Sequence, residues 1–501
     1  MNNFFIAIEN NLPALQVVIP LLLSPIVALI TKPLISWIIS LIGSLLCFIS
    51  SIILFFKFIS YGQINYFMGN WPAPWGIEYV IDGASSYMLI IISGMGFFAT
   101  LYSYTLMKLE LSEHSQSRVY GMWLLALGGL LGLVTTGDAF NLFVFLEISS
   151  LSSVTLVALG AYRDRRALTA AFNYLLIGAV GATFYVIGVG LLYSVTGTLN
   201  IADLTERLSE ISDNNAVRAG ISFIIIGLMV KAAIFPLHIW LPAAYTYAPT
   251  AVTVLLTATA TKAALYILAR ILFTLLFNTD DFTYIVLNWI LLPAALIAIF
   301  FGTIRAIFEN DIKKLLAFSS LSQIGYTLVG LSLGTTAGIL AAFIHLANHA
   351  LMKSALFMGV GSIGAIIKNK VEFNSLKGIG YTMPITAICI TIATLSLLGV
   401  PLTVGFISKF FLIKAILLSQ NWFVLVIVLL TSFLALGYTW KIIEYIWMLK
   451  PENNKKQNEK PLILIPLITL VIFNLLFGVY AYPIIESATI ASESISWGKN
   501  D

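Results

Sequence analysis

"LMVKAAIFPLHIWLP", residues 228–242, sets Lys231, Pro236, His238 and Pro242 inside an otherwise apolar run. A lysine at mid-membrane is unfavourable by about 2.5 to 3.5 kcal/mol on insertion scales. A proline inside a helix removes one backbone hydrogen bond and clashes with the preceding turn. The segment therefore reads as a broken helix whose lysine faces a protein interior or a wet cavity. Whether that reading holds depends on the solvent in which the rest of the chain sits.

Composition answers for lipid. Of 501 residues 59% are hydrophobic and 10% charged, whereas soluble domains carry about 25% charged residues. A net charge of +4, with scattered basic residues, gives no nucleic-acid footprint. Cys47 and Cys389 stand singly in apolar runs, the pattern of small core hydrophobes and not of a disulfide, a thiolate metal site or an iron–sulfur cluster. No cofactor is expected. "MNNFFIAIENN" lacks the basic stretch that opens a cleaved signal peptide.

Apolar runs of about 18 to 25 residues, enough to cross the hydrocarbon as helix, recur near 13–30, 34–56, 84–106, 119–136, 140–161, 168–193, 217–241, 249–273, 283–305, 314–334, 337–365, 384–418, 421–447 and 461–482. Open sheet edges do not survive in lipid. The expected fold is an all-α polytopic membrane protein of about fourteen transmembrane helices. Loops after odd-numbered spans hold Lys32, Lys108, Arg118, Arg163, Arg165, Arg166, Arg305, Lys313, Lys314, Lys368, Lys370, Lys377, Lys450, Lys455, Lys456 and Lys460. The opposite side holds Lys57, Arg207, Arg218, Lys414 and Lys499. Roughly sixteen against five is a positive-inside bias that places both termini outside, and a miscounted middle span would have scrambled it.

Two outside segments are long. Residues 61–83 are rich in proline, glycine and aromatics and read as an ordered interfacial loop; 194–216 has room for a short amphipathic helix. No long helix is expected after residue 482. The run 384–418 is too long for one crossing and is interrupted at Gly399, Pro401 and Gly405, just before Lys409. It parallels 217–241, where Pro236 and Pro242 follow Lys231. Broken helices in corresponding places point to a transporter built of inverted repeats. The expected division is a three-helix segment 1–115, five-helix repeats 116–275 and 276–450, and a final helix with an external tail, 451–501.

Glu147, Lys231, Lys262, Lys353 and Lys409 lie well inside these spans, and His345 and His349 share the span of Lys353. Glu147, in "GDAFNLFVFLEISSLSS", needs a proton or a cation. Facing Lys231 it would hold the lysine charged, and moving away would let desolvation favour the neutral amine, releasing a proton. The alternative is a static ion pair, a poor stabiliser beside apolar packing. Lys262, in "TATATKAALYILAR", is surrounded by small residues that leave room for water; its alternative is snorkelling to an interface. Arg270, near that span's end, reads as an interfacial anchor. Lys409 follows freed carbonyls and is otherwise an ordinary half-helix cation. His345 and His349, four apart, lie on one helix face continued by Lys353. Neither a glutamate in "HExxH" spacing nor a third ligand accompanies them, so a proton relay is favoured over zinc, with satisfied core histidines the other reading. For His238, relay and packing stand even. "GVGSIG" (359–364) is a literal GxGxxG without the strand that a nucleotide fingerprint requires.

With "KAAIFPLHIWLPAAYTYAPTAVTVLLTATATKAALY", "GDAFNLFVFLEISS" and "HLANHALMKSALF" in view, the chain resembles the antiporter-like proton-conducting subunits shared by respiratory complex I and the multisubunit Mrp-type Na+/H+ antiporters. "GNWPAPWGIEYVIDG", "GDAFNLFVFLE" and the length bring it nearer the D-type branch of the Mrp antiporters. Serine-rich "ISSLSS" departs from that branch, where bulkier residues are common. The resemblance implies fourteen helices in two inverted five-helix repeats. It also implies a membrane-parallel proton chain through Glu147, Lys231, Lys262, His345, His349, Lys353 and Lys409, gated by Glu147 and Lys231, with His238 a secondary member. The implied partners are other membrane subunits of the same complex, protons, Na+ or K+, and the lipid bilayer. The competing implication is the membrane subunit of a redox-driven proton pump.

Overall fold

The computed structural model describes residues 9–211, 214–275, 280–367, 370–451 and 456–495. Expectations placed on Lys368, Lys455, Lys499 and the first eight residues lie outside them. The helices are α1 (Leu12–Leu29), α2 (Pro33–Tyr61), α3 (Gly83–Glu110), α4 (Glu113–Thr135), α5 (Ala139–Ala158), α6 (Arg166–Thr196), α7 (Ile201–Glu210), α8 (Asn215–Lys231), α9 (Trp240–Tyr247), α10 (Thr250–Ala258), α11 (Ala260–Thr274), α12 (Asp281–Phe308), α13 (Ile312–Ser332), α14 (Thr336–Ile367), α15 (Pro384–Leu398), α16 (Val404–Leu418), α17 (Trp422–Trp447), α18 (Pro461–Val479) and α19 (Tyr482–Ile495). Among the described residues, twelve helices are long and apolar enough to cross a membrane, α10 and α11 counting together. The two segments expected to be broken fall outside that twelve because each is a pair of shorter helices, α8 with α9 and α15 with α16.

The layering is set by which helices expose apolar side chains. Leu22 of α1, Ile42 and Phe56 of α2, Phe172 of α6 and Phe433 of α17 are exposed. In water that surface would drive aggregation; in hydrocarbon it is the solvated face. Helix α13 is buried throughout except at Lys313 and Lys314 in its first turn, and α10 with α11 nearly throughout. Helix α14 packs against α10, α13 and α16, so Lys262, His345, His349 and Lys353 sit where protein, not lipid, surrounds them. The glycines of "GVGSIG" serve that packing. A Cβ on Gly361 would lie 2.3 Å from the Tyr102 hydroxyl and 2.5 Å from Thr250.

Three features differ from the sequence reading. The loop 61–83 is an antiparallel hairpin, β1 (Ile64–Phe67) with β2 (Glu78–Ile81), its connection carrying exposed Trp71 and Trp75. The segment beyond residue 482 was expected to be a tail and is instead α19. Its small residues Ala488, Ala491 and Ser492 are buried, and it packs on α3 and α14, where Ala84 N–H donates to Ser494 Oγ at 2.8 Å. Arg270, expected to anchor at the interface, is turned inward. Its guanidinium meets both oxygens of Asp82 at 2.8 Å and donates to the Tyr266 hydroxyl. Residues 194–216 do contain the amphipathic helix α7, with Leu204 and Leu208 buried.

Asp82 also accepts from Ser85 N–H and so caps α3. Burial alone would raise this carboxyl, but the Arg270 guanidinium outweighs it and holds the group below the ordinary carboxylate range. A depressed carboxyl contributes stability above its unfolded pKa of about 4 and loses it only as pH falls through the lower folded value. The pair is therefore intact from neutral pH down into strong acid. Asp82→Asn strands a buried guanidinium, at a penalty of about 3 to 5 kcal/mol. The expected result is a lower melting temperature for the purified complex, as far below wild type at pH 6 as at pH 8.

Candidate functional site

Helix α8 ends at Lys231 because the chain beyond cannot continue it. Ala233 has φ 54° and Pro236 lacks an N–H. The helix end leaves carbonyls without intrahelical donors. Val230 O accepts from the Trp240 indole at 3.0 Å, and that indole stacks on Tyr174 with centroids 4.2 Å apart. Lys231 thus lies on the negative end of its own helix dipole. Its Nζ is 3.4 Å from Glu147 Oε1 and donates to Ser150 Oγ at 2.9 Å. Gly178 of α6 leaves the space: a Cβ there would stand 3.3 Å from Ser150 Oγ and 3.7 Å from the ammonium. The side chain of Lys231 is 7% exposed and that of Glu147 28%. His238, also in the break, stacks on Phe235 and meets Phe301 edge-on; its Nδ1 is buried without a partner among the described residues.

Lys262 occupies a second interruption. Thr259, at φ −125° and ψ −55°, separates α10 from α11, and the ammonium of Lys262 donates to the Thr257 carbonyl at the end of α10. The residue is wholly buried, so snorkelling does not describe it.

On α14 the His345 and His349 rings stack 5.8 Å apart. His345 Nε2 and both nitrogens of His349 are buried without partners among the described residues. The electrostatic neighbours of His349 are Lys262, His345 and Lys353. Lys353 turns aside from the histidine stripe and donates to Leu316 O at 3.0 Å and to Ser319 Oγ. Tyr326 of α13 contacts His345 edge-on at 6.1 Å, and the Lys409 ammonium lies 5.5 Å from the Tyr326 ring.

Lys409 lies in the second turn of α16, just beyond the break from α15. It reaches back over Gly399, φ 90°, to donate to Leu398 O at 2.7 Å, the carbonyl end of α15. Lys231 therefore ends α8, and the ammonium groups of Lys262 and Lys409 each donate to a carbonyl at the end of a helix, α10 and α15.

The structure brings Glu147 to Lys231, aligns His349 with His345, and sets Tyr326 between His345 and Lys409. It does not put Lys353 on the same partners. Sequence reading missed Ser150, Tyr326 and the interruption at Thr259; the serines after Glu147 were the available signal, read there as a departure.

Residues 136–435 match the family described as NADH:quinone oxidoreductase/Mrp antiporter, TM. The chain belongs to that family. It is 38% identical over 391 residues to the N-type subunit of NADH-quinone oxidoreductase from Desulforudis audaxviator, covering 77% of this chain and 75% of that one. It is 31% identical over 431 residues to the D-type subunit of the Na(+)/H(+) antiporter from Alkalihalophilus pseudofirmus, covering 85% of each. A chain of the membrane-bound sulfane sulfur reductase, an archaeal respiratory membrane complex, superposes with a TM-score of 0.90 at 31% identity, over 97% of both chains. A chain of the Mrp complex from Dietzia sp. DQ12-45-1b gives 0.88 at 23%, over 98% of both, which establishes likeness of fold. Relatives of this family are named as subunits of larger membrane assemblies.

Proposed function

We propose that this chain is the proton-translocating membrane subunit of a multisubunit Na+ or K+/H+ antiporter of the Mrp type. The supporting relatives are the D-type antiporter subunits, at 31% identity over 85% of the chain and 29% over 94%. The observation that carries the mechanism is the Glu147–Lys231 pair at the end of α8. Glu147 holds the proton on Lys231; when the carboxylate swings away, the desolvated ammonium loses its counter-charge and passes the proton on. Lys262, His349, His345 and Lys409 receive it in turn. Water bridges the ring nitrogens that lack partners among the described residues, as buried waters do for unsatisfied polar groups. His238 and Lys353 flank this axis. Protons enter beside Lys231 and leave near Lys409.

The division into repeats 116–275 and 276–450 is part of the reading. Its support is a recurrence: Asp138 caps α5 and bridges Asn200, while Asp311 caps α13 and bridges Glu372. The same breaks recur, α8 with α9 and α15 with α16. Both termini lie outside a bacterial cell inner membrane, on the loop-charge bias.

A second reading is favoured by one observation, the 38% identity to a chain named as part of NADH-quinone oxidoreductase. It makes the chain the pumping subunit of a redox-driven complex. Inverted membrane vesicles holding the intact complex separate the two. The antiporter reading expects addition of Na+ or K+ to collapse a respiration-generated ΔpH. A proton flux that needs NADH or quinone and ignores both cations would replace it with the pump.

A further inference from the structure

At the end of the bundle opposite the basic loops lies a cavity of about 350 Å³, walled by the β hairpin, the turn at Thr136 and Gly137, α7, and the ends of α11 and α19. Glu78 lines it. This residue is 4% exposed, a depth at which carboxylates are ordinarily paired. Its Oε1 accepts from Asn200 Nδ2 at 2.6 Å, a neutral donor. Among the described residues no donor is recorded on its other oxygen and no cation lies within ion-pairing distance of it. Asp82, in the same wall, is matched by Arg270. Two carboxylates against one guanidinium leave a single negative charge in excess. The other polar residues lining it include Gln63, Asn65, Thr136 and Thr205, oxygen-bearing residues suited to hard cations and lacking the sulfur or imidazole that transition metals prefer.

We infer that this cavity is a binding site for a monovalent cation, Na+ or K+, with Glu78 as its charged ligand. The inference rests on the antiporter reading for the ion's identity and adds to it a place where that ion is held on the outer face. A single excess charge matches a single positive one, and Glu78, in the wall of a roomy cavity that several polar residues share, is placed to meet it. A proton on Glu78 is the competing account, and a glutamine imitates that protonated acid.

The test is equilibrium binding of radioactive sodium, and of rubidium as a K+ surrogate, to the purified intact complex. Glu78→Gln is expected to remove one bound cation per copy of the chain, or to weaken it about tenfold or more. Glu78→Asp, which keeps the charge, retains binding. Wild-type binding in Glu78→Gln would overturn the site and leave a proton there instead. Should Glu78→Gln fail to assemble, the wild-type complex imaged in thallium decides: density against Glu78 supports the site, and an empty cavity overturns it. Cation-evoked ΔpH collapse is measured on the same preparations. Loss of binding in a complex that ignores cations sinks the antiporter reading alone; a cation-responsive complex with unchanged Glu78→Gln binding sinks this inference alone.

Discussion

Lys231→Met is expected to abolish the cation-evoked ΔpH response of the intact complex while leaving the complex assembled, and Lys231→Arg is expected to do the same. The two variants divide the roles that the pair could play. Methionine fills the lysine's volume and removes the charge. Arginine keeps the charge beside Glu147 but stays protonated under all relevant conditions. If Lys231 only fixed helix packing by its charge, arginine would preserve transport; if it carries the proton, arginine stops it. Transport at wild-type rate in Lys231→Arg would therefore end the proton-carrying account. Glu147→Gln is expected to stop flux as well, with a larger loss of thermal stability than Lys231→Met. The asymmetry follows from burial. Removing the glutamate leaves an ammonium 7% exposed, with Ser150 and the carbonyl end of α8 around it, and stranding a buried charge costs about 3 to 5 kcal/mol. Removing the lysine leaves a carboxylate 28% exposed, which has a path to solvation. Ser150→Ala removes the donor-matched hydroxyl without touching either charge and should slow flux without stopping it.

What could be foreseen from the sequence was whatever one segment decides alone. Hydrophobic length placed the spans within a few residues of α1, α2 and α3, and Pro236, Pro242, Gly399 and Gly405 marked both broken segments. Proline and glycine write a break into the chain locally. The interruption at Thr259 carries no such residue; it shows only as a φ of −125° between α10 and α11. Contacts between distant segments were hidden for a different reason. Lys231 and Ser150 are 81 positions apart, and Arg270 and Asp82 are 188 apart. Meeting depends on how each helix is rotated about its axis. In a helix apolar on every side the sequence pattern does not encode that rotation, because the moment that reveals a buried face vanishes. The same blindness hid α19, whose small residues give no apolar stripe yet allow close approach to α3.

Gly405→Ala is expected to prevent assembly of a stable complex, whereas Gly399→Ala assembles and loses transport. A Cβ on Gly405 would lie 1.7 Å from the Ser396 carbonyl oxygen and 3.1 Å from Met352 Sδ. The first of these is backbone at the end of α15, so no side-chain rotation relieves it. Relief means driving α16 away from both α15 and α14, which breaks the Gly405 N–H to Ser396 Oγ contact and the Asn348 hydrogen bond to Val404 O. Overpacking costs about 1 to 3 kcal/mol where side chains can yield, and more where they cannot. At Gly399 the obstacle is Lys409 Cδ, 2.8 Å from the built Cβ, the middle of a flexible stem. The lysine can move, and the backbone penalty for φ 90° is about 1 to 3 kcal/mol. Moving it takes Nζ off Leu398 O, so the fold survives while the last cation of the proposed chain is displaced. Size-exclusion yield and melting temperature read the first effect, and ΔpH collapse in vesicles reads the second. Equal stability of the two variants would show that the junction of α15 and α16 yields more freely than its close approach to Ser396 implies.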